Sequence, residues 1–519
     1  MQLPCLLISL ATAFLTLRPA GAATAVQPNV TATSKELTNS GSCCATLDYF
    51  LPEKVHYNSL TDLSYQTSIL SYWSQQEQSL NPICIVIPTS SEDVSTAVFI
   101  LDIAYKMSMS GCSFAIKSAG HTPQAGAANI EGGITIDLAS LNQVIISSDQ
   151  SIASIGPGNR WANVYTPLDA LNLSMVGGRV SDVGVGGLMT GGGVSFFSGR
   201  YGFACDNVFN FEVVLASGAI VDANATSNPT LYRALKGGSN NLGVVTRFDV
   251  RLFQQGSFWG GTLTQAITEK QDVIDFISNF DHSATYDPYA ALITNFVWDA
   301  GITLILSDVE YTKPTPYPPT FAPLFALPAV ANTMRIAPLT SFTDEIALSS
   351  DSTTSEKSDL FTTMTFINSA IFMSELWDLV DATVTSLSNV TGLLFTLTFQ
   401  PLPYVIYSKS AATGGNVLGL DRFTDDFVNA LAVVSWALPT DDATVYAAVQ
   451  QLFDTAAAKA KSMGVWNEFV YLNYAAPWQK PITGYGQANK NFLQNVSKSY
   501  DPDSLFQKAV PGGFKLATS

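Results

Sequence analysis

The run from Gly177 to Gly202 constrains this chain more than any other, because ten of its 26 residues are glycine: 177, 178, 184, 186, 187, 191, 192, 193, 199 and 202. Each glycine costs about 0.5–1 kcal/mol of extra chain entropy relative to alanine, so a run this dense needs a structural reason. Close approach of backbone to a ligand supplies one, since free amides in such loops form concave nests suited to a pyrophosphate. A flexible surface loop is the plainer alternative. The interleaved Val183, Val185, Leu188, Met189, Phe196 and Phe197 speak for burial instead. The familiar nucleotide fingerprints are missing. Gly191 to Ser195 lacks the P-loop lysine, and Gly184 to Met189 departs from G-x-G-x-x-G at its last position. No G-x-S-x-G elbow occurs, which removes the commonest hydrolase reading. The loop is expected to cradle a phosphate-bearing cofactor in some other way.

The flanks read as mixed helix and strand. Pro82 and Pro88 frame a strand over 83–87, and Ser90 caps a helix whose apolar residues Val94, Ala97, Val98, Leu101 and Ala104 recur at helical spacing, with Gly111 as its stop. Strands follow at 114–117 and 133–138, and a hairpin at 212–221 turns on Ala216-Ser217-Gly218. After Phe253 the glycine density falls, and strands alternate with helices to about residue 460. Six prolines between Pro314 and Pro328 read as a loop inside this second region. The last segment returns to a strand over 469–474 and a closing helix, with Asp501 as N-cap and Pro502 in its first turn. At 519 residues, two domains are expected.

The compartment is written at the start. Residues 1–23 hold a short apolar core and end in Ala20-Gly21-Ala22-Ala23, the pattern of a cleaved secretory leader. N-x-S/T triplets begin at Asn29, Asn172, Asn224, Asn389 and Asn495, as a secreted glycoprotein would carry. Cys5 leaves with the leader, so five cysteines remain. Cys43 and Cys44 are expected to pair with Cys84 and Cys112, in an order the sequence leaves open, with Cys205 free. Adjacent cysteines without a histidine cluster do not make a metal site. A net charge of −17 argues against nucleic acid or an anionic membrane as partner.

Several segments in the right order resemble the FAD-linked oxidoreductases of the berberine-bridge-enzyme-like type, in the vanillyl-alcohol-oxidase superfamily. They are Ile116-Lys117-Ser118-Ala119-Gly120-His121 with 134–142; Gly177 to Gly202 with Ala204-Cys205-Asp206-Asn207; and Gly237 to Thr246. Tyr471-Leu472-Asn473-Tyr474 and Asp501 to Phe506 match near the end. The resemblance implies an α+β protein. Residues 45–253, with 465–519, would form a PCMH-type FAD-binding domain of two α/β subdomains. Residues 254–464 would form a substrate domain, an antiparallel sheet covered by helices on one side and roofing the flavin.

Carried over residue by residue, the resemblance implies an 8α-histidyl bond from FAD to His121, although Ala119 replaces a usual glycine. Neutral imidazole is a competent nucleophile; His56 and His282 read as ordinary solvated histidines. The cofactor contacts implied are Ser118, Ala119, Gly120, Gly126, Val180, Val183, Gly184, Gly186, Gly187, Gly191, Gly192, Gly193, Asp206, Asn207, Gly243, Val244, Val245 and Asn473. Val180 stands where some relatives carry a second, cysteinyl link, so a single attachment is expected, and Val183 stands at the oxygen gate. Tyr471 is the expected base, with Asn473 beside it by strand alternation and Gln400 on the substrate side. No acid follows Tyr474, and Trp161 reads as structural.

The activity implied is hydride transfer from a small-molecule alcohol, amine or sugar to FAD, with molecular oxygen returning as hydrogen peroxide, in a secreted monomer. An oxidative or redox-neutral cyclase of secondary metabolism shares most of these features. So does a flavin-carrying protein without turnover.

Overall fold

The computed structural model describes residues 28–349 and 357–518; the expected leader lies outside them. The first half holds two sheets. In one, strands run in the order Val55–Tyr57, Cys84–Val86, Ile134–Asp137, Phe114–Lys117, the last three parallel. Parallel neighbours need a crossover, and helix Ser91–Lys106 provides it. Ser90 caps this helix by accepting from Asp93 N. The helix stops at Lys106, short of Gly111. Ser108 and Gly111 both take left-handed backbone (φ 56° and 70°) in a turn that feeds strand Phe114–Lys117. Disulfides Cys43–Cys112 and Cys44–Cys84 tie helix Cys43–Phe50 to this layer, and Cys205 is free and buried.

The second sheet is antiparallel, in the order Val144–Ile146, Ile152–Ile155, Val244–Arg251, Val208–Val214, Ile220–Asn224. The expected hairpin is present, with Gly218 at φ 81° in its turn. Its strands extend further than the sequence suggested, because Phe211 and Val213 continue the inward face while Asn210 and Glu212 continue the polar one.

Nine antiparallel strands, from Phe258–Ala266 to Trp466–Asn467, make a third, larger sheet. Helices Lys270–Phe280, Ala370–Ser386 and Asp442–Ser462 cover one face, burying Ile277, Leu376 and Val449 against Phe296, Phe399 and Val434. Strand alternation sends the intervening residues Asn295, Thr398 and Gln400 to the other face, towards the first half. The proline-rich stretch folds within this region as two short helical turns that bury Phe321 and Leu324.

The closing segment differs from expectation at two points. Only Trp466–Asn467 pairs as strand. The Asn467 side chain then accepts from Phe469 N at 2.9 Å, a local bond that competes with the ladder, and Leu472–Tyr474 forms a 3₁₀ turn. The last helix starts at Leu505, since Ser504 is left-handed (φ 66°). Asp501 still satisfies its open amides, accepting from Leu505 N at 2.8 Å and Phe506 N at 2.9 Å.

Candidate active site

A cavity of about 480 Å³ lies between the glycine-rich loops and the open face of the nine-stranded sheet. Its floor is backbone and small side chains: the turn 118–121, residues 183–188 and Gly243 to Val245. Its roof is made of sheet side chains, among them Asn295, Asp308, Thr398 and Gln400, and the segment 471–475 closes one side.

The floor is fixed by close packing. A Cβ on Gly184 would lie 2.6 Å from the Ala119 Cβ, and one on Gly120 (φ 68°) 2.5 Å from the Tyr72 ring. Ala119 is therefore accommodated by the glycine it packs on. Ser118 Oγ donates to Pro157 O at 2.6 Å and accepts from Gly186 N at 3.2 Å, stitching the two floor loops together. Arg160 spans them as well, donating to Ser71 O and Ala119 O at 3.1 Å each and to Asp182 O. Over Gly187 nothing lies within 4 Å of a would-be Cβ.

His121 ends the turn. Its ring stacks on Trp73 (4.7 Å, 23°), and part of it faces the cavity, while Nδ1 is shut off from solvent and has no hydrogen-bond partner. Burial, and then the Arg160 guanidinium, push the imidazole down to about 3. The ring is thus neutral at neutral pH, with its Nδ1 unengaged. By contrast His56 and His282 sit beside Asp62 and Asp426.

Val180, Val183, Gly184, Gly186, Gly187, Gly243, Val244 and Val245 line the cavity along with Ser118 to His121. Six other expected contacts do not. Gly126 lies beyond the turn, where its N–H and that of Ala128 donate to buried Glu77. Gly191, Gly192 and Gly193 pass behind the aromatic side wall, and a Cβ on Gly191 would fall 1.9 Å from Asn473 Oδ1. Asp206 accepts from Asn416 Nδ2 and Phe203 N, and Asn207 donates to the carbonyls of Tyr201 and Phe203, a buried turn outside the cavity. Trp161 is wholly buried, filling the space that side chains at Gly177 and Gly178 would need.

On the substrate side, Tyr471 and Asn473 do meet, though through the 3₁₀ turn and not strand alternation. Asn473 Nδ2 donates to the Tyr471 hydroxyl at 3.0 Å, and Gly193 N donates to it at 2.9 Å. Burial pushes this phenol well up. A phenol acts as a base more readily beside a cation, and the cation here, Arg179, goes to Tyr474. Its Nη2 donates to the Tyr474 hydroxyl at 2.9 Å and to Gln400 Oε1, and Tyr474 in turn donates to Gln400 Oε1 at 3.3 Å. Tyr474 also meets Tyr471 edge-on at 4.7 Å. Sequence reasoning missed Arg179, Tyr474, Trp73 and also Phe361, which lines the cavity with its ring 5.1 Å from Trp73 and 6.5 Å from His121. A long cation directly after Gly177-Gly178 was the available signal for the first of them.

The comparisons with known proteins agree with this geometry. Residues 82–224 match the FAD binding domain family. The chain is 36% identical over 484 residues to the FAD-dependent monooxygenase drtC of Aspergillus calidoustus, covering 92% of this chain and 90% of that one. It belongs to the FAD-dependent oxidoreductases that carry this FAD binding domain. Solved structures share the fold: 6-hydroxy-D-nicotine oxidase from Arthrobacter nicotinovorans has a TM-score of 0.71 at 21% identity, covering 88% of this chain and 96% of its own. Xylooligosaccharide oxidase from Myceliophthora thermophila C1 has 0.70 at 19%, covering 93% and 99%. As a member of this family the protein is an FAD-dependent oxidoreductase. The floor suits that cofactor, since it offers backbone-lined space, a free approach over Gly187 and a buried, unpartnered imidazole nitrogen. Among the described residues no cluster of three His, Cys, Asp or Glu could hold a metal, and no helix is long and apolar enough to cross a membrane.

Proposed function

We propose that this protein oxidises a small hydroxyl- or amine-bearing molecule, with FAD bonded through His121 and oxygen as the final acceptor, released as hydrogen peroxide. The observation that carries the reading is the neutral, unpartnered His121 at the cavity floor, because a buried polar atom without a partner is costly unless something else engages it. FAD, held by the floor loops and His121, would supply a hydride acceptor for substrate carbon that can hand two electrons on to oxygen. The protein's own part is to orient substrate and take its proton. Tyr474 is the better base, because the Arg179 guanidinium that donates to its oxygen would favour the phenolate form, the form that accepts the substrate's proton, while Gln400 fixes the direction of approach. Tyr471, whose oxygen already accepts from two N–H groups, is left to donate into the cavity. With valine at 180, one covalent link is expected, and Val183 leaves room for oxygen.

The two disulfides fit an oxidising compartment. Asn29, Asn172, Asn389 and Asn495 are exposed as glycan sites must be, whereas Asn224 is half-buried and hydrogen-bonded, so glycosylation is proposed at the first four.

A second reading comes from relatives named monooxygenases, in which one oxygen atom enters the product. One experiment separates the two. Under ¹⁸O₂, peroxide equal to product and no label in the product is the expected result; label in the product with no peroxide selects the second reading. Product formation with neither would mean that the chemistry is redox-neutral.

A further inference from the structure

The roof carries a carboxylate that the mechanism above leaves unused. Asp308 lies on strand Ile302–Tyr311, lines the cavity and is 3% exposed. Thr262 Oγ1 donates to its Oδ1 at 2.7 Å, and Asn295 Nδ2 donates to its Oδ2 at 3.0 Å. A carboxylate has about four lone-pair sites, so these two neutral donors leave about half its accepting capacity unfilled. Among the described residues no cation lies within ion-pair distance of it.

Asp308 is the end of a polar stripe across three neighbouring strands. Asn295 Oδ1 accepts from Thr398 Oγ1 at 2.7 Å, and Thr398 shares a strand face with Gln400, which reaches Arg179 and Tyr474. Around the stripe the roof is mainly apolar, with Ile293, Val297, Leu306, Leu431 and Val433 outnumbering Thr396 and Ser435. Such walls would strip water from sugar hydroxyls without replacing their hydrogen bonds. They suit an apolar skeleton with few, well-separated polar groups. Burial, with the Glu345 carboxylate adding to it and the Thr262 and Asn295 bonds and the more remote Arg179 charge opposing it, pushes Asp308 up to about 7.

We infer that Asp308 is a distal recognition residue, accepting a hydrogen bond from a hydroxyl or N–H at the end of an apolar substrate opposite the group oxidised beside Tyr474. The substrate class is then an apolar skeleton with two separated donors, and this rests on the cavity being the substrate chamber of the oxidase proposed above.

Two matched pairs of probes, each with a carbinol for oxidation at one end, test it at two spacings: 4-hydroxybenzyl alcohol with 4-methoxybenzyl alcohol, and 4-hydroxy-4′-(hydroxymethyl)biphenyl with its phenol methyl ether. Binding to the purified flavoprotein is measured anaerobically by equilibrium dialysis. In at least one pair the diol should bind about tenfold tighter than the ether, as a hydrogen bond to a carboxylate warrants. Asp308→Asn should bring that ratio to about one by the same amount, with the ether's own affinity unchanged. Should D308N fail to fold with flavin, D308S is read in the same way. Equal affinities within both pairs, or a preference that survives in the variant, would mean that Asp308 only knits strands together, and would overturn the inference. Peroxide is scored separately. Diol preference without peroxide from any compound sinks the oxidase reading and leaves the subsite standing; peroxide with equal affinities does the reverse.

Discussion

The floor and the roof of the cavity are built on opposite principles. The floor is backbone, held by contacts so close that a single methyl at Gly184 or Gly120 has nowhere to go. The roof is side chains on a sheet whose strand register is kept by backbone bonds elsewhere, so its residues can change without moving the frame. The lesson is a division of labour. On the proposed function, holding the cofactor falls to shape that tolerates no added atoms, and choosing and deprotonating substrate falls to a few replaceable groups. Floor substitutions should therefore cost flavin, and roof substitutions should cost turnover or selectivity with flavin retained.

The largest effect is expected at the floor. Gly184→Val places a branched side chain against Ala119 and the Ser118 side chain, and overpacking of this kind is not relieved where the neighbour is backbone. Bound flavin per chain, read from visible absorbance, should fall below about a tenth of wild type. Full flavin occupancy in this variant would break the comparison. On the other side of the cavity, Tyr474→Phe should keep its flavin and lose about 10²–10⁴-fold in turnover, the usual worth of a positioned base. A Tyr474→Phe enzyme that lost flavin instead would show that the side wall belongs to the floor. Arg179→Met should cost less, about tenfold in turnover, because it removes a charge-assisted hydrogen bond but leaves the phenol in place.

The smallest effect sharpens the picture of the floor's support. Burial pushes Glu77 up to about 7, against 4.5 for the free side chain, despite the bonds it accepts from Gly126 and Ala128. A carboxyl raised on folding contributes stability that is complete below about pH 4.5 and is lost as the pH rises through about 7. Glu77→Gln removes that dependence. Its melting temperature should fall less between pH 5 and pH 8 than that of the wild type, and an equal or steeper fall would contradict the assignment.

Much of the floor was legible in the sequence because its signals are local. A strand, a turn and His121 lie within eight residues, and the glycine density marks close packing whatever it packs against. Even so, composition could not say which glycines face the cavity. Gly191, Gly192 and Gly193 carry the densest signal, yet they leave room for Asn473, Tyr471, Ala204 and Leu188 and not for the cavity. The roof was less legible because it depends on register. Asp308 and Asn295 meet across a hairpin, and Thr398 joins them only through pairing with a strand about a hundred residues on, while nothing near any of the three marks the face it takes. The closing segment failed in a different way. Phe469 to Tyr474 alternates like a strand, but one side-chain bond at Asn467 ends the ladder, and Tyr474 rather than Tyr471 meets the cation. The cysteine set was readable, and its order was not, since adjacent Cys43 and Cys44 could each reach either partner until the fold placed them.

The central claim is that His121 carries the flavin, and acid precipitation followed by peptide mass mapping tests it most directly. The account predicts that the yellow colour stays with the denatured protein and that the peptide containing His121 is heavier by the mass of FAD, with the Val180 peptide unmodified. Flavin left in the supernatant, with an unmodified His121 peptide, would contradict it.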